Sequence, residues 1–186
     1  MESVIKTGHL LSALITGQFG FTQTKSHLVK NNKMEATLSI NKAVTRNLYE
    51  NILNNRKFEL MNSVVSEDYS NIQGEKGIEG FKKGIIAITK AFPDAKWTLT
   101  EIVAEGNKVF VKQKVEGTHK EQFQNIAPTN RSISNEGAAI YEFKEGKIIN
   151  HQIQTDRLGF LQQLGVLPVD LTVLSQEKEC NVFNEQ

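Results

Sequence analysis

The sequence carries one cysteine and three prolines, and neither charge sign is in excess. A lone Cys180 near the C-terminal end forms no internal disulfide and has no companions for a structural zinc site, so a reducing, cytoplasmic setting is expected. Twenty-two basic residues against 21 acidic ones, with no long basic run, give neither the overall field nor the local patch that nucleic acid requires. No apolar run is long enough to span a bilayer, so no membrane partner is expected. The stretch from His9 to Phe21, with Lys6 before it, comes nearest. Glu2, Gly8, Gly17 and Gln18 dilute it below the density of a signal peptide, which leaves secretion as the lesser alternative. Also missing are a glycine-rich phosphate loop after a strand, a serine in a nucleophile elbow, and a His/Cys/carboxylate cluster at ligand spacing. His119, His151 and Asp156 are the one metal set that comes into view, and no metal is expected there.

What is present suits a single domain with ragged ends: an extension over residues 1–35, a domain over 36–168 and a polar tail over 169–186. Val44, Leu48 and Ile52 recur at helical spacing and predict an amphipathic helix from about Ser39 to Asn54. A shorter helical stretch follows from Phe58 to Val65, then Gly74, Gly77 and Gly80 mark a loop. Phe81, Ile85 and Ile88 predict a third helix, which stops near Phe92 because Pro93 cannot continue it.

The period then changes from helix to strand. Trp97, Leu99 and Val103 alternate with polar residues, and the Glu105-Gly106-Asn107 turn leads into Val109, Val111 and Val115. A loop containing Pro128 separates this hairpin from a second, Ser132 to Phe143 and Lys147 to Thr155, joined through Glu145-Gly146. Arg157 to Leu164 reads as a closing helix before Gly165 and Pro168. Helices segregated before a meander imply an α+β fold, a curved antiparallel sheet packed against N-terminal helices with its concave end left open as a cavity.

Three stretches carry a resemblance: Ala91-Phe92-Pro93-Asp94 followed by Trp97; Gly117-Thr118-His119 followed by Ile126-Ala127-Pro128-Thr129; and Glu145-Gly146-Lys147-Ile148 running on to Asp156-Arg157-Leu158-Gly159 and Gln163-Leu164-Gly165. Together they resemble the SnoaL-like polyketide cyclases, ester cyclases of the superfamily that shares the cone-shaped fold, an α+β barrel, of nuclear transport factor two. The resemblance covers about Ile40 to Pro168. It implies a cofactor-free activity, ring closure by aldol condensation with an acidic residue as acid/base, and a homodimer formed through the sheet. The family's histidine falls on His151, but its catalytic aspartate falls on Ile153, and a further histidine near the site falls on Ala139.

Strand alternation groups Ile149, His151, Ile153 and Thr155 on one face, which the resemblance turns toward the cavity. The neighbouring strand groups Val109, Val111, Gln113, Val115 and His119 in the same way. His151 is the leading acid/base candidate, assisted by His119 or by Asp156 from the rim, because an imidazole titrates near neutrality and can move protons on an enolisable carbonyl. The competing roles are a structural hydrogen bond for each histidine and an N-cap for Asp156. Candidate ligand contacts are Asn71, Phe81, Phe92, Trp97, Gln113, Ala139, Tyr141 and Ile153, with core packing or turn formation as the alternative for each. The expected partner is a small, largely apolar carbonyl or ester compound, acted on by a cyclase or isomerase. The alternative is a binding protein that has lost its aspartate at Ile153.

Overall fold

The structure, a computed structural model, describes residues 18–174. Two units divide the chain, Met1–Ala36 and Thr37–Gln186. Helix α1 (Gln18–Asn47) starts well before the expected Ser39. Residues 29–37 are exposed on every side, so no apolar stripe marks them in the sequence. Helix formers such as Lys30, Lys33, Met34, Glu35 and Ala36, uninterrupted by Gly or Pro, account for their conformation. The part of the expected extension from Gln18 onward is therefore helical, while residues 1–17 and the tail from residue 175 lie outside the described residues.

Within the second unit the chain continues from α1 as a π-helical turn, Leu48–Leu53, that buries Leu48, Tyr49, Ile52 and Leu53. A 3-10 turn, Phe58–Ser63, buries Met61. Helix α2 (Gly77–Ala91) takes in Gly77 and Gly80, which the sequence placed in a loop. A Cβ on Gly80 would come within 2.9 Å of the Glu75 backbone, so this glycine serves a close approach of loop and helix.

Four antiparallel strands follow in the order β1-β2-β3-β4: β1 (Lys96–Glu105), β2 (Lys108–Thr118), β3 (Ser132–Lys144) and β4 (Lys147–Thr155). The sheet is curved and does not close on itself. Its tight turns hold Gly106 at φ +57 and Glu145-Gly146 at φ +53 and +76, as the turn residues predict. Register shifts at Leu99/Glu101 and at Glu142/Phe143 bend the outer strands. One shift leaves Ile148 fully buried on the inner side of β4, while Ile149 is half-buried. The free edge of β4 is covered by the segment after the 3-10 turn, where Ser66 and Ser70 donate backbone N–H groups to the Ile148 and Ile149 carbonyls. Helix α3 (Arg157–Gln163) closes the fold, and the Gln163 amide both accepts from and donates to the Ser134 backbone.

One side chain ties the helical layer to the sheet. Asn54 donates to the Trp97 carbonyl at 2.9 Å and accepts from the Trp97 N–H at 2.8 Å, while Arg56 lies over the indole ring at 5.4 Å. Asn54→Ala removes two hydrogen bonds and leaves part-buried backbone groups unpaired, so unfolding in urea should show a loss of about 2–3 kcal/mol.

Candidate functional site

Cross-strand register orders the inner face of the sheet into rows. One row aligns Val109, Tyr141 and His151; the next aligns Val111, Ala139 and Ile153; the third aligns Gln113, Gly137 and Thr155. Trp97, Val115 and Asn135 form a fourth. Val109, Val111, Tyr141, Phe143 and Ile148 are buried, so one end of the concave face is packed. Further along, Leu99, Val115, Asn135 and Gly137 are only half-buried, and Ile153 is 46% exposed although it pairs with the buried Ala139. Ile153 is thus an aliphatic group in the inner-face register that still reaches solvent.

The packed end is aromatic and polar at once. His151 stacks between Tyr69 and Tyr141, with ring centroids 5.7 and 5.8 Å away, and meets the edge of Phe81 at 5.1 Å. Its Nδ1 shares a 2.8 Å hydrogen bond with the Tyr69 hydroxyl, and the hydroxyls of Tyr49 and Tyr141 bond at 2.7 Å. Burial drives all three phenols upward, Tyr69 to about 12, so they remain protonated. Burial lowers His151, which is therefore uncharged near neutrality, with Nδ1 engaged by the Tyr69 hydroxyl. Tyr69 and Tyr49 were missed as site residues. Tyr69 stands at a break in helical periodicity, where no sequence pattern indicates which way a side chain points.

His119 occupies a different place. It lies just beyond β2, fully buried, stacked on Phe92 at 5.0 Å beside the Phe123 and Phe160 rings. The Thr129 N–H donates to its Nδ1 at 3.2 Å, which puts the proton of the neutral ring on Nε2, a buried donor without a partner. Phe81, against His151, and Phe92, against His119, stand eleven residues apart, a rise of about 16 Å at helical geometry. These contacts set His119 and His151 in separate aromatic clusters.

Asp156 is exposed and caps α3, its Oδ1 accepting the Gly159 N–H at 2.8 Å, so the capping alternative describes its contacts. The set His119, His151 and Asp156 does not converge, and no group of three metal-ligating side chains is found among the described residues. Asn71 uses Oδ1 to accept the Gln73 and Glu75 N–H groups, which forms the turn, while its amide eases the upward shift of Tyr69. Of the expected ligand contacts, Phe81 and Tyr141 adjoin His151, Ala139 and Ile153 form the next row, and Gln113 lies in the third. Phe92 and Trp97 are buried in the core against His119 and Arg56. Two grooves, of about 360 and 480 Å³, open instead beside α2, lined largely by charged side chains such as Glu59, Lys76, Glu79 and Lys83. None of the expected ligand contacts lines either of them.

A family model of SnoaL-like polyketide cyclases matches residues 43–164. Among solved structures, a candidate SnoaL-like polyketide cyclase from Jannaschia sp. CCS1 aligns at a TM-score of 0.64 with 16% identity, over 70% of this chain and 94% of that one. TsrD from Streptomyces laurentii aligns at 0.62 with 23% identity, over 71% and 97%. A SnoaL-like polyketide cyclase from Agrobacterium tumefaciens aligns at 0.56 with 18% identity, over 62% and 91%. These likenesses establish the fold. A comparison with curated proteins finds no match.

Both interior histidines are held below their ordinary range by burial. The unfolded chain therefore binds protons that the folded chain refuses, and stability falls as pH drops through about 6.5. Thermal midpoints measured between pH 8 and pH 5 should decline over the acidic half of that range. The decline should be shallower in a His151→Gln variant.

Proposed function

This chain belongs to the SnoaL-like polyketide cyclase family, and from that premise we propose that it binds a small apolar carbonyl or ester compound against the concave face, with His151 moving protons at the carbonyl. The supporting observation is the 2.8 Å bond between the Tyr69 hydroxyl and His151 Nδ1, which fixes the imidazole beside the row where Ile153 reaches solvent. Orientation of an uncharged imidazole in a dry wall is what general acid/base catalysis on an enolisable ketone needs. No cofactor enters this chemistry. The ligand slides past Ile153, places its ring system over Val111 and Ala139, and presents its oxygen to Nε2.

A second reading rests on Ile153. It stands where the resemblance expects a carboxylate, and its row contributes Val111 and Ala139, so nothing acidic shares that part of the inner face with His151. A protein with this arrangement could hold the same ligand without reaction. Exchange of the methyl protons of 2-acetylnaphthalene in D2O, followed by NMR, separates the two. Acid/base action predicts accelerated exchange that drops about 100-fold in His151→Gln and less in Tyr69→Phe, measured at pH 8 and at a temperature where thermal unfolding shows both variants folded. Binding of the ketone without acceleration favours the carrier.

The outer face of the sheet carries the proposed homodimer contact. Val103, Phe110 and Ile140 pair across three strands as an exposed apolar row, flanked by Glu101 and Lys112 on one side and Lys108 and Glu142 on the other. Such a row with charges of both signs at its margins is self-complementary about a two-fold axis. Light scattering should give twice the monomer mass, and Phe110→Lys should return the monomer.

A further inference from the structure

A hydrogen bond between a phenol and an imidazole can run in either direction, and the direction decides which ring nitrogen carries the proton. The Tyr69 hydroxyl and His151 Nδ1 lie 2.8 Å apart. Tyr69 is 1% exposed, and among the described residues no other group accepts a hydrogen bond from its hydroxyl. Were the phenol oxygen to accept from an Nδ1–H, its own proton would be buried without an acceptor, which disfavours that arrangement by about tenfold or more. The surrounding groups point the same way. Asn71 spends Oδ1 on the Gln73 and Glu75 N–H groups, at 3.1 and 3.0 Å, which leaves its NH2 as the part that meets the Tyr69 hydroxyl. An NH2 only donates. The Glu75 carboxylate, whose charge acts on Tyr69, is engaged by Lys83 through Oε1 at 2.6 Å, and the Tyr141 hydroxyl is engaged by Tyr49.

From this order of donors we infer that Asn71 and Tyr69 are positioning residues that hold His151 in the tautomer with its proton on Nε2, so that the imidazole offers a hydrogen-bond donor and not a basic lone pair. The polarity runs from the Asn71 NH2 to the Tyr69 oxygen, and from the Tyr69 O–H to His151 Nδ1. His151 is half-buried, and its Nε2 is not one of the buried side-chain atoms left without a hydrogen bond among the described residues, so this N–H is not sealed inside the fold. The use of that donor at a carbonyl oxygen rests on the proposed function. There it stabilises the negative charge that collects on the oxygen as an α-proton leaves. The C–H electron pair passes into the enolate, the proton goes to water or buffer, and no bond to the imidazole forms or breaks. His151 becomes the base only if its proton moves to Nδ1, and Tyr69 opposes that move.

The test is NMR of the full chain labelled with nitrogen-15 histidine at pH 8, with His151 identified by the signals that vanish in His151→Gln. Two-bond proton–nitrogen correlation separates protonated from unprotonated ring nitrogens and tells Nε2, which couples to both carbon-bound ring protons, from Nδ1. His151 should show a protonated Nε2 and an unprotonated Nδ1. Tyr69→Phe removes the donor and should draw the two nitrogen shifts toward each other as both tautomers become populated. Asn71→Asp keeps an oxygen for the turn and sets an acceptor where the NH2 stood. The Tyr69 proton then turns to the carboxylate, the phenol oxygen accepts from Nδ1–H, and the pattern at His151 should reverse, which a purely structural Asn71 would not cause. In the 2-acetylnaphthalene exchange assay Asn71→Asp should lose about tenfold of the acceleration, the hydrogen bond at the oxygen being gone. The spectrum of the native chain decides the tautomer without any variant: an unprotonated Nε2, or averaged shifts, overturns the inference. A native pattern that survives Tyr69→Phe overturns the role of Tyr69, and one that survives Asn71→Asp overturns that of Asn71. The expected tautomer without accelerated exchange supports the positioning and overturns the proposed action at a carbonyl.

Discussion

The pairing of β2 with β3 runs without a break from Lys108↔Glu142 to Thr118↔Ser132, and the rest of the molecule is arranged around that register. Side chains alternate with a period of two, so a slip of one residue would send Val109, Val111, Gln113, Ala139 and Tyr141 to the outer face and bring Phe110, Lys112, Ala138 and Ile140 inward. The outer strands tolerate bulges because they hang on this ladder; the central pair contains none. Both proposed surfaces descend from it. The inner face receives the aromatic and amide groups, and the outer face receives the apolar row that a second copy can cover.

An inner face built this way has an electrostatic consequence. Desolvation lifts the phenols and depresses the imidazoles, so the three tyrosines and His151 are uncharged at neutral pH. The tyrosines satisfy one another or the histidine, which removes the penalty of burying their hydroxyls and adds about 0.5–1.5 kcal/mol for each well-placed ring pair. Among the described residues, Gln113 Oε1, Asn135 Oδ1 and His119 Nε2 are the buried side-chain atoms left without a hydrogen bond.

Much of the fold was legible because it depends on local chemistry. Gly106, Gly146 and Pro93 fix turns and a helix end by their own backbone limits, and the β4 boundaries follow from alternation between two such signals. The N-terminal part of α1 was not legible, since an exposed helix needs no apolar stripe. In the site, parity correctly set Gln113 and His151 facing inward but could not place them along the cone. His119 shares that parity but stacks on Phe92 in a separate aromatic cluster, a contact that alternation along a strand does not reveal. Tyr69 comes from an irregular segment, where three-dimensional contact alone reveals a partner. Asn135 shares the parity of Ala139 and Tyr141, so its inward direction was available; its missing hydrogen bond was not.

On the proposed function, an isoleucine at 153 where the resemblance expects a carboxylate narrows the chemistry rather than abolishing it. A buried carboxylate can work as a strong local base, whereas a depressed imidazole whose Nδ1 is tied to a protonated phenol is a mild one and a competent hydrogen-bond donor. Such a pair favours carbonyls whose α-protons are already acidic, as when an aryl ring or a second carbonyl adjoins them, since less driving force is needed to reach the enol. An aliphatic wall at Ile153 favours the same compounds for an independent reason: it adds apolar contact to a flat ring system and excludes water from the developing enolate. On that proposal, acid/base strength and wall composition select one substrate type from two directions, and neither selection needs a charged residue inside the cone.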